Sequence, residues 1–116
     1  MPSTKAVLDH HVQCFGAGDL AGILSDYAPD AVLFTPNGPL KGVAAIGPFF
    51  KEMLAEFGKP GMAHRQTHES IDGEYAYVLW TAETADNSYE FATDTLVVRD
   101  GKILAQSFAA KLSAKA

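Results

Sequence analysis

The chain has 116 residues, 47% of them hydrophobic and 20% charged, and a formal net charge of −5. These totals predict one soluble globular domain spanning residues 1–116 and exclude a long disordered tract. The nine lysines and arginines are scattered rather than clustered, so nucleic acid is not an expected partner. No apolar run reaches the roughly 20 residues of a membrane span and no signal peptide is evident, so we expect a cytoplasmic protein without membrane contact.

Three helices are predicted in the first half of the chain. Ser3 or Thr4 caps the first, whose apolar residues repeat at helical spacing until the glycine-rich segment 16–18. Asp19 caps a short second helix that ends at Tyr27, before a proline. The third helix is predicted from Val43 to Phe57.

Most of the remaining chain is predicted to be β-strand. A first strand covers Ala31–Thr35 and leads into a turn at Pro36–Pro39. Later turns include two Asp-Gly pairs, which are a strong hairpin signal. The four strands that these turns separate are Met62–Ile71, Tyr75–Thr84, Tyr89–Val98 and Lys102–Lys111. Helices followed by a long meander predict an α+β fold, with the helices on one face of a curved antiparallel sheet.

The order of these elements resembles the nuclear-transport-factor-2-like (NTF2-like) superfamily, including its SnoaL-like polyketide cyclase and ketosteroid isomerase branches. Three segments carry the resemblance: residues 18–32, residues 42–50 and Asp94–Ile103. It implies a cystatin-like cone in which three N-terminal helices pack on a strongly curved, mostly antiparallel sheet around a central pocket. It also implies a protein that binds an apolar small molecule.

Asp94 is the first candidate catalytic residue. It shares one predicted strand face with Leu96 and Val98, so it would place a carboxyl in an apolar wall, where burial raises the pKa. In the resemblance it falls where ketosteroid isomerase keeps the neutral aspartic acid of its oxyanion hole. The alternative is an aspartate that bonds a neighbouring strand or lies at an exposed rim.

His11 is the second candidate. It lies one turn before Phe15 on the inner stripe of the first helix, and in the resemblance it replaces the oxyanion-hole tyrosine of the isomerase. Histidine can donate to a developing oxyanion or exchange a proton near neutral pH. The alternative is a core or rim histidine bonded to a backbone carbonyl. His10 points about 100° away around the helix, so we expect it to be solvated.

His64 and His68 alternate with Gln66 on one face of a predicted strand. Four residues of strand separate their Cα atoms by about 13 Å, which is too far for one metal ion. We therefore expect no metal and no cofactor. One of the two, which the sequence does not identify, is a candidate base that faces the pocket. The alternative is that both are surface histidines.

Thr35 departs from the isomerase pattern. The isomerase carries its proton-shuttling aspartate at this position, and Phe50 stands where it has a supporting tyrosine. Threonine cannot act as that base, so ketosteroid isomerase activity is not expected. The orientation of Trp80 is not determined by the pattern. The predicted pocket lining is Phe15, Phe34, Thr35, Phe50, Leu96, Gln106 and Phe108.

Two functions are left open by the sequence. An enzyme of this type would perform cofactor-free proton transfer (isomerisation, cyclisation or dehydration) on an apolar, carbonyl-containing ligand, with Asp94 and His11 polarising the carbonyl. The alternative is a non-catalytic ligand-binding or dimerisation module of the NTF2-like fold. A homodimer through the outer sheet face is also predicted, because the apolar patch there would be larger than a soluble monomer normally exposes, and a second copy would bury it. Strand parity assigns to that face Tyr89, Phe91, Val97, Ile103, Ala105 and Ala109.

Overall fold

Three helices and six strands make up residues 1–115, the part of the chain that the computed structural model describes. The helices are α1 (Thr4–Ala17), α2 (Leu20–Ser25) and α3 (Val43–Phe57). The strands are β1 (Tyr27–Thr35), β2 (Gly38–Lys41), β3 (Ala63–Asp72), β4 (Tyr75–Glu83), β5 (Asn87–Arg99) and β6 (Lys102–Ala114).

The predicted signals at both ends of α1 and at the start of α2 are used. Ser3 Oγ accepts a hydrogen bond from the Ala6 N–H at 3.1 Å and caps α1. Asp19 Oδ1 accepts one from the Gly22 N–H at 2.9 Å and caps α2. Between the two helices Gly18 adopts a φ of 70°, a left-handed conformation in which its N–H closes the end of α1. The caps and this turn fix how α1 and α2 pack together.

The six strands form one mixed sheet in the order β2-β1-β6-β5-β4-β3. β1 and β6 run parallel, and the other neighbouring pairs are antiparallel. The three helices cover one face, and the main core lies between them and the sheet, with Leu8, Ile23, Ile46 and Leu96 at 1% exposure or less. The predicted α+β fold, with three helices on a curved sheet, is confirmed.

Between α2 and α3 one prediction is wrong and another is incomplete. α2 ends at Ser25, so Tyr27 begins β1 and Pro29 lies inside the strand instead of ending the helix. The strand tolerates the proline because the pairing of β1 with β6 is interrupted between Tyr27 and Val32. The turn predicted at Pro36–Pro39 forms at Pro36 and Asn37, but the prediction missed β2, a short strand that begins at Gly38 and pairs with β1.

The outer sheet face was predicted from the alternation of side chains along each strand, and this alternation is interrupted at both ends of β5. One residue of β5 is left out of the pairing with β6 between Tyr89 and Phe91, so Tyr89 turns to the helix side and is only 4% exposed. A second register shift, between Val97 and Val98, has the same effect on Ile103, which is fully buried. The prediction that Tyr89 and Ile103 belong to the outer face is therefore wrong. Phe91, 46% exposed, does lie on that face.

Candidate functional site

A cavity of about 250 Å³ lies between the helices and the sheet. α1 and α3 form one wall and strands β3 to β6 form the other. The lining is rich in aromatic rings, and a concave apolar site with few polar groups is typical of small-molecule binding. The aromatic lining residues are Phe15, Phe49, Phe50, Phe57, Trp80 and Phe108.

Asp94 of β5 contributes a carboxyl to the sheet wall of the cavity. Trp80 Nε1 donates to its Oδ2 at 2.8 Å, and Gln106 Nε2 donates to its Oδ1 at 3.0 Å. The Tyr27 hydroxyl donates in turn to Gln106 Oε1. Burial raises the pKa of Asp94 above its usual value, opposed by these two hydrogen bonds and by His11. Asp94 is therefore a fixed carboxyl that keeps its proton to higher pH than a surface aspartate.

His11 of α1 lies on the helix wall of the same cavity. Its ring is 8% exposed and packs edge-on against Tyr27 and Phe50, at centroid distances of 5.6 and 5.5 Å. Its Nδ1 is 3.5 Å from Oδ2 of Asp26. The cavity therefore has a titratable group on each of two opposite walls, His11 and Asp94.

His64 of β3 is the third titratable residue of the lining. Its ring packs on Trp80, with the centroids 5.1 Å apart and the planes 38° apart, although the residue as a whole remains exposed at the edge of the cavity. Burial lowers the pKa of His64, and the nearby carboxylate of Asp94 opposes this effect. The lowered pKa favours the neutral imidazole, which is the form that can accept a proton.

His68 does not line the cavity. The pairing of β3 with β4 shifts by one residue between Gln66 and His68, so His68 turns to the opposite face of the sheet from His64 and Gln66. There its Nε2 lies 2.6 Å from Ser70 Oγ and its ring packs near Tyr77. The prediction that His64 and His68 share a face is wrong, and of the two it is His64 that lines the cavity.

Phe34 and Thr35 also lie outside the cavity lining, which corrects their predicted place in the pocket. Phe34 alternates with the fully buried Leu33 and is 52% exposed on the outer face. Thr35 belongs to the turn between β1 and β2, where its Oγ1 donates to Gly38 O at 2.9 Å and accepts from the Asn37 N–H at 3.2 Å. Thr35 is therefore engaged in the turn and is not one of the cavity lining residues.

The structure brings the other predicted site residues together around one cavity. They are Asp94, His11, His64, Phe15, Phe50, Leu96, Gln106 and Phe108. Sequence reasoning missed Asp26 and did not orient Trp80. The one local signal for Asp26 is an acidic residue between apolar Leu24 and Tyr27, beside a position that the core must bury.

Two features are absent from residues 1–115. In this part of the chain, no group of three or more His, Cys, Asp or Glu side chains is placed to hold a metal ion. Nor does any helix there combine the length and apolarity needed to cross a membrane.

The fold recurs in solved structures of low sequence identity. An NTF2-like protein of unknown function from Mesorhizobium loti is 20% identical, with a TM-score of 0.79 over 93% of this chain and 90% of that one. A candidate ketosteroid isomerase from Kribbella flavida is 18% identical, with a TM-score of 0.77 over 97% and 81%. A candidate polyketide cyclase from Sinorhizobium meliloti is 17% identical, with a TM-score of 0.72 over 88% and 92%. At these identities the likeness establishes the fold alone.

Sequence comparison assigns the family. A search of curated proteins finds no significant match. The family model of the SnoaL-like domain, in contrast, matches residues 8–106, which is most of the chain. The chain therefore belongs to the SnoaL-like domain family of the NTF2-like superfamily.

Proposed function

We propose that this chain binds a small, apolar, carbonyl-containing molecule and catalyses cofactor-free proton transfer on it. The observation that carries the proposal is Asp94, a carboxyl of raised pKa held in an aromatic wall that it shares with His64, whose pKa is lowered. Burial favours the neutral form of both groups, so it shifts Asp94 toward a proton donor and His64 toward a proton acceptor. Titratable groups perturbed in this way within one cavity are typical of acid–base sites.

The three titratable side chains have distinct roles in this proposal. His64 takes a proton from the carbon next to the ligand carbonyl. Asp94 and His11 polarise the carbonyl oxygen and stabilise the enolate that forms. Return of the proton from His64 at another carbon completes an isomerisation. Attack of the enolate on a second carbonyl within the ligand forms a carbon–carbon bond and an alkoxide, and transfer of the proton from His64 to that alkoxide completes a cyclisation. The apolar lining lowers the local polarity around these groups, which strengthens their electrostatic contacts.

The names of two structural neighbours support the proposed type of reaction. One structural neighbour is named as a candidate ketosteroid isomerase and another as a candidate polyketide cyclase. The chain nevertheless places Thr35 in a turn outside the cavity, so it lacks a base at the position where the isomerase pattern has one. We therefore expect no turnover of a Δ5-3-ketosteroid.

Hydrogen–deuterium exchange tests the proposal without knowledge of the natural substrate. The probe is 2-tetralone, a bicyclic ketone with acidic protons next to its carbonyl, followed in D2O by proton NMR. We expect the protein to accelerate exchange, and we expect Asp94→Asn and His64→Gln each to reduce the acceleration by about 100-fold or more. His68→Gln is the matched control, because His68 is on the same strand as His64 but outside the cavity lining.

The same assay separates the enzyme from the non-catalytic alternative. Titration of Trp80 fluorescence reports binding of the ketone, since the indole lines the cavity. Binding without acceleration would overturn the catalytic proposal in favour of a ligand-binding module. An equal loss of activity in His68→Gln would overturn the role given to His64.

A further inference from the structure

Asp26 lies between two consecutive histidines of α1. It follows α2, its side chain is 10% exposed, and its Oδ1 is 2.7 Å from Nδ1 of His10. Its Oδ2 is 3.5 Å from Nδ1 of His11. Both Oδ2 and the His11 Nδ1 are buried and lack a hydrogen-bond partner among residues 1–115. Two orphaned buried polar atoms therefore face each other.

The two histidines have different surroundings. The His10 side chain is 48% exposed, and its Nε2 lies 3.5 Å from Sγ of Cys14. The His11 side chain is 10% exposed and lines the cavity. One buried carboxylate therefore connects a histidine at the surface with a histidine at the proposed site.

We propose that Asp26 is a positioning residue that fixes the tautomer of His11. A carboxylate offers only acceptors, so a neutral imidazole facing it must carry its proton on Nδ1. His11 Nε2 then has a free lone pair and is the atom available to a ligand. His10 holds the other oxygen of Asp26 and prevents the carboxylate from rotating. The role of His11 toward the ligand rests on the proposed function, whereas its tautomer does not.

The 3.5 Å separation between His11 Nδ1 and Asp26 Oδ2 is longer than a normal hydrogen bond. The edge-on packing of the His11 ring against Tyr27 and Phe50 holds Nδ1 beside the Asp26 carboxylate. The desolvated Oδ2 favours a proton on that Nδ1, because a buried acceptor without a donor is costly.

Cys14 does not make a second active site of this cluster. Cys14, His10 and Asp26 follow one another as a nucleophile, a base and an acid would. The thiol is however buried outside the cavity lining, and burial raises its pKa, so the reactive thiolate is disfavoured. The cluster therefore acts on the cavity through His11.

Nitrogen-15 NMR of histidine-labelled protein tests the proposal. At pH 9, well above the ordinary histidine pKa of about 6.5, the Nδ1 and Nε2 shifts report the tautomer of each ring. Variants His10→Gln and His11→Gln assign the signals. We expect both rings to be in the Nδ1–H form in the unmodified protein. A His11 ring in the Nε2–H form would overturn the proposal, and this measurement needs no change at Asp26.

Asp26→Asn sharpens the test. An amide has one acceptor oxygen and one donor nitrogen, so it cannot accept from both histidines. We therefore expect one of the two rings to change to the Nε2–H form, whereas unchanged tautomers would overturn the proposal. Asp30→Asn is the control, because Asp30 is an exposed carboxylate on β1.

The exchange assay with 2-tetralone distinguishes this proposal from the proposed function. If both hold, Asp26→Asn lowers kcat by about tenfold or more with little change in KM, since the ligand contacts remain. A tautomer change in a protein that never accelerates exchange would overturn the proposed function and support the positioning role of Asp26. Full activity despite a changed His11 tautomer would overturn the role of His11 toward the ligand.

Discussion

Replacing Trp80 with Phe tests the charge state of Asp94. The smaller ring can still pack against Phe108 and Tyr89, but it cannot donate to Asp94 Oδ2 as the indole N–H does at 2.8 Å. A hydrogen bond to a charged group stabilises a protein by about 1.5–3 kcal/mol, and one between neutral groups by about 0.5–1.5 kcal/mol. Trp80→Phe should therefore lower the free energy of unfolding more at pH values at which Asp94 is ionised than at pH values at which it is protonated.

The sign of the pH dependence follows from burial. Because burial raises the Asp94 pKa above 3.8, the folded chain holds this proton more tightly than the unfolded chain. The stability that this gives is complete below pH 3.8 and is lost as the pH rises through the folded pKa. Trp80→Phe raises the folded pKa further, so the variant loses more stability over the same range. We expect the difference in free energy of unfolding between the two proteins to widen by about 1 kcal/mol as the pH rises from 3.8 through the folded pKa of Asp94.

Urea unfolding at each pH measures the difference in free energy of unfolding between the parent protein and Trp80→Phe. Far-UV circular dichroism is the signal, because Trp80 is the single tryptophan of the chain and the variant has no indole fluorescence. The smaller ring adds a loss of about 1 kcal/mol at every pH from reduced apolar burial. In an Asp94→Asn background the cost of Trp80→Phe should not vary with pH. If the cost of Trp80→Phe is also independent of pH when Asp94 is present, the hydrogen bond from Trp80 to an ionisable Asp94 is refuted.

Three other substitutions address the outer face, the cavity histidine and a helix cap. We propose a homodimer through the outer sheet face, so Phe91→Glu should give monomers in sedimentation equilibrium; a parent protein that is monomeric at tens of micromolar would refute this. Because burial lowers the His64 pKa, the acidic limb of the 2-tetralone pH–rate profile should lie below pH 6.5 and disappear in His64→Gln; a limb unchanged by that substitution would assign it to another group. Asp19→Ala should lower the free energy of unfolding by about 1 kcal/mol through loss of the α2 cap, whereas Asp30→Ala should have a much smaller effect in the same thermal melts.

Both ends of α1 and the start of α2 were predictable because their signals are local. Ser3, Asp19 and Gly18 act on backbone groups within four residues, so a single sequence contains the whole interaction. His11 was placed correctly on the cavity side for the same reason, since helical spacing relates it to Phe15. Asp26 was missed because its two partners belong to another helix, about fifteen residues away, and no spacing rule relates them.

The β-sheet was predictable only between its bulges. Asp94 and Leu96 lie in the stretch of β5 where pairing with β6 is regular, and both line the cavity as strand parity requires. His68, Tyr89 and Ile103 each lie beyond a register shift, and each was assigned to the wrong face. A bulge reverses every side chain beyond it, and whether a residue is left out of the ladder depends on the partner strand.

The bulge at the start of β5 also helps to build the site. By turning Tyr89 inward it places that ring against Trp80 and Phe57, at centroid distances of 5.5 and 5.3 Å. The Tyr89 hydroxyl donates to Glu56 of α3, which fixes the ring between helix and sheet. Trp80 is thereby held in the orientation in which its N–H meets Asp94. The irregularity that defeated strand parity is thus a part of what positions the carboxyl in the cavity.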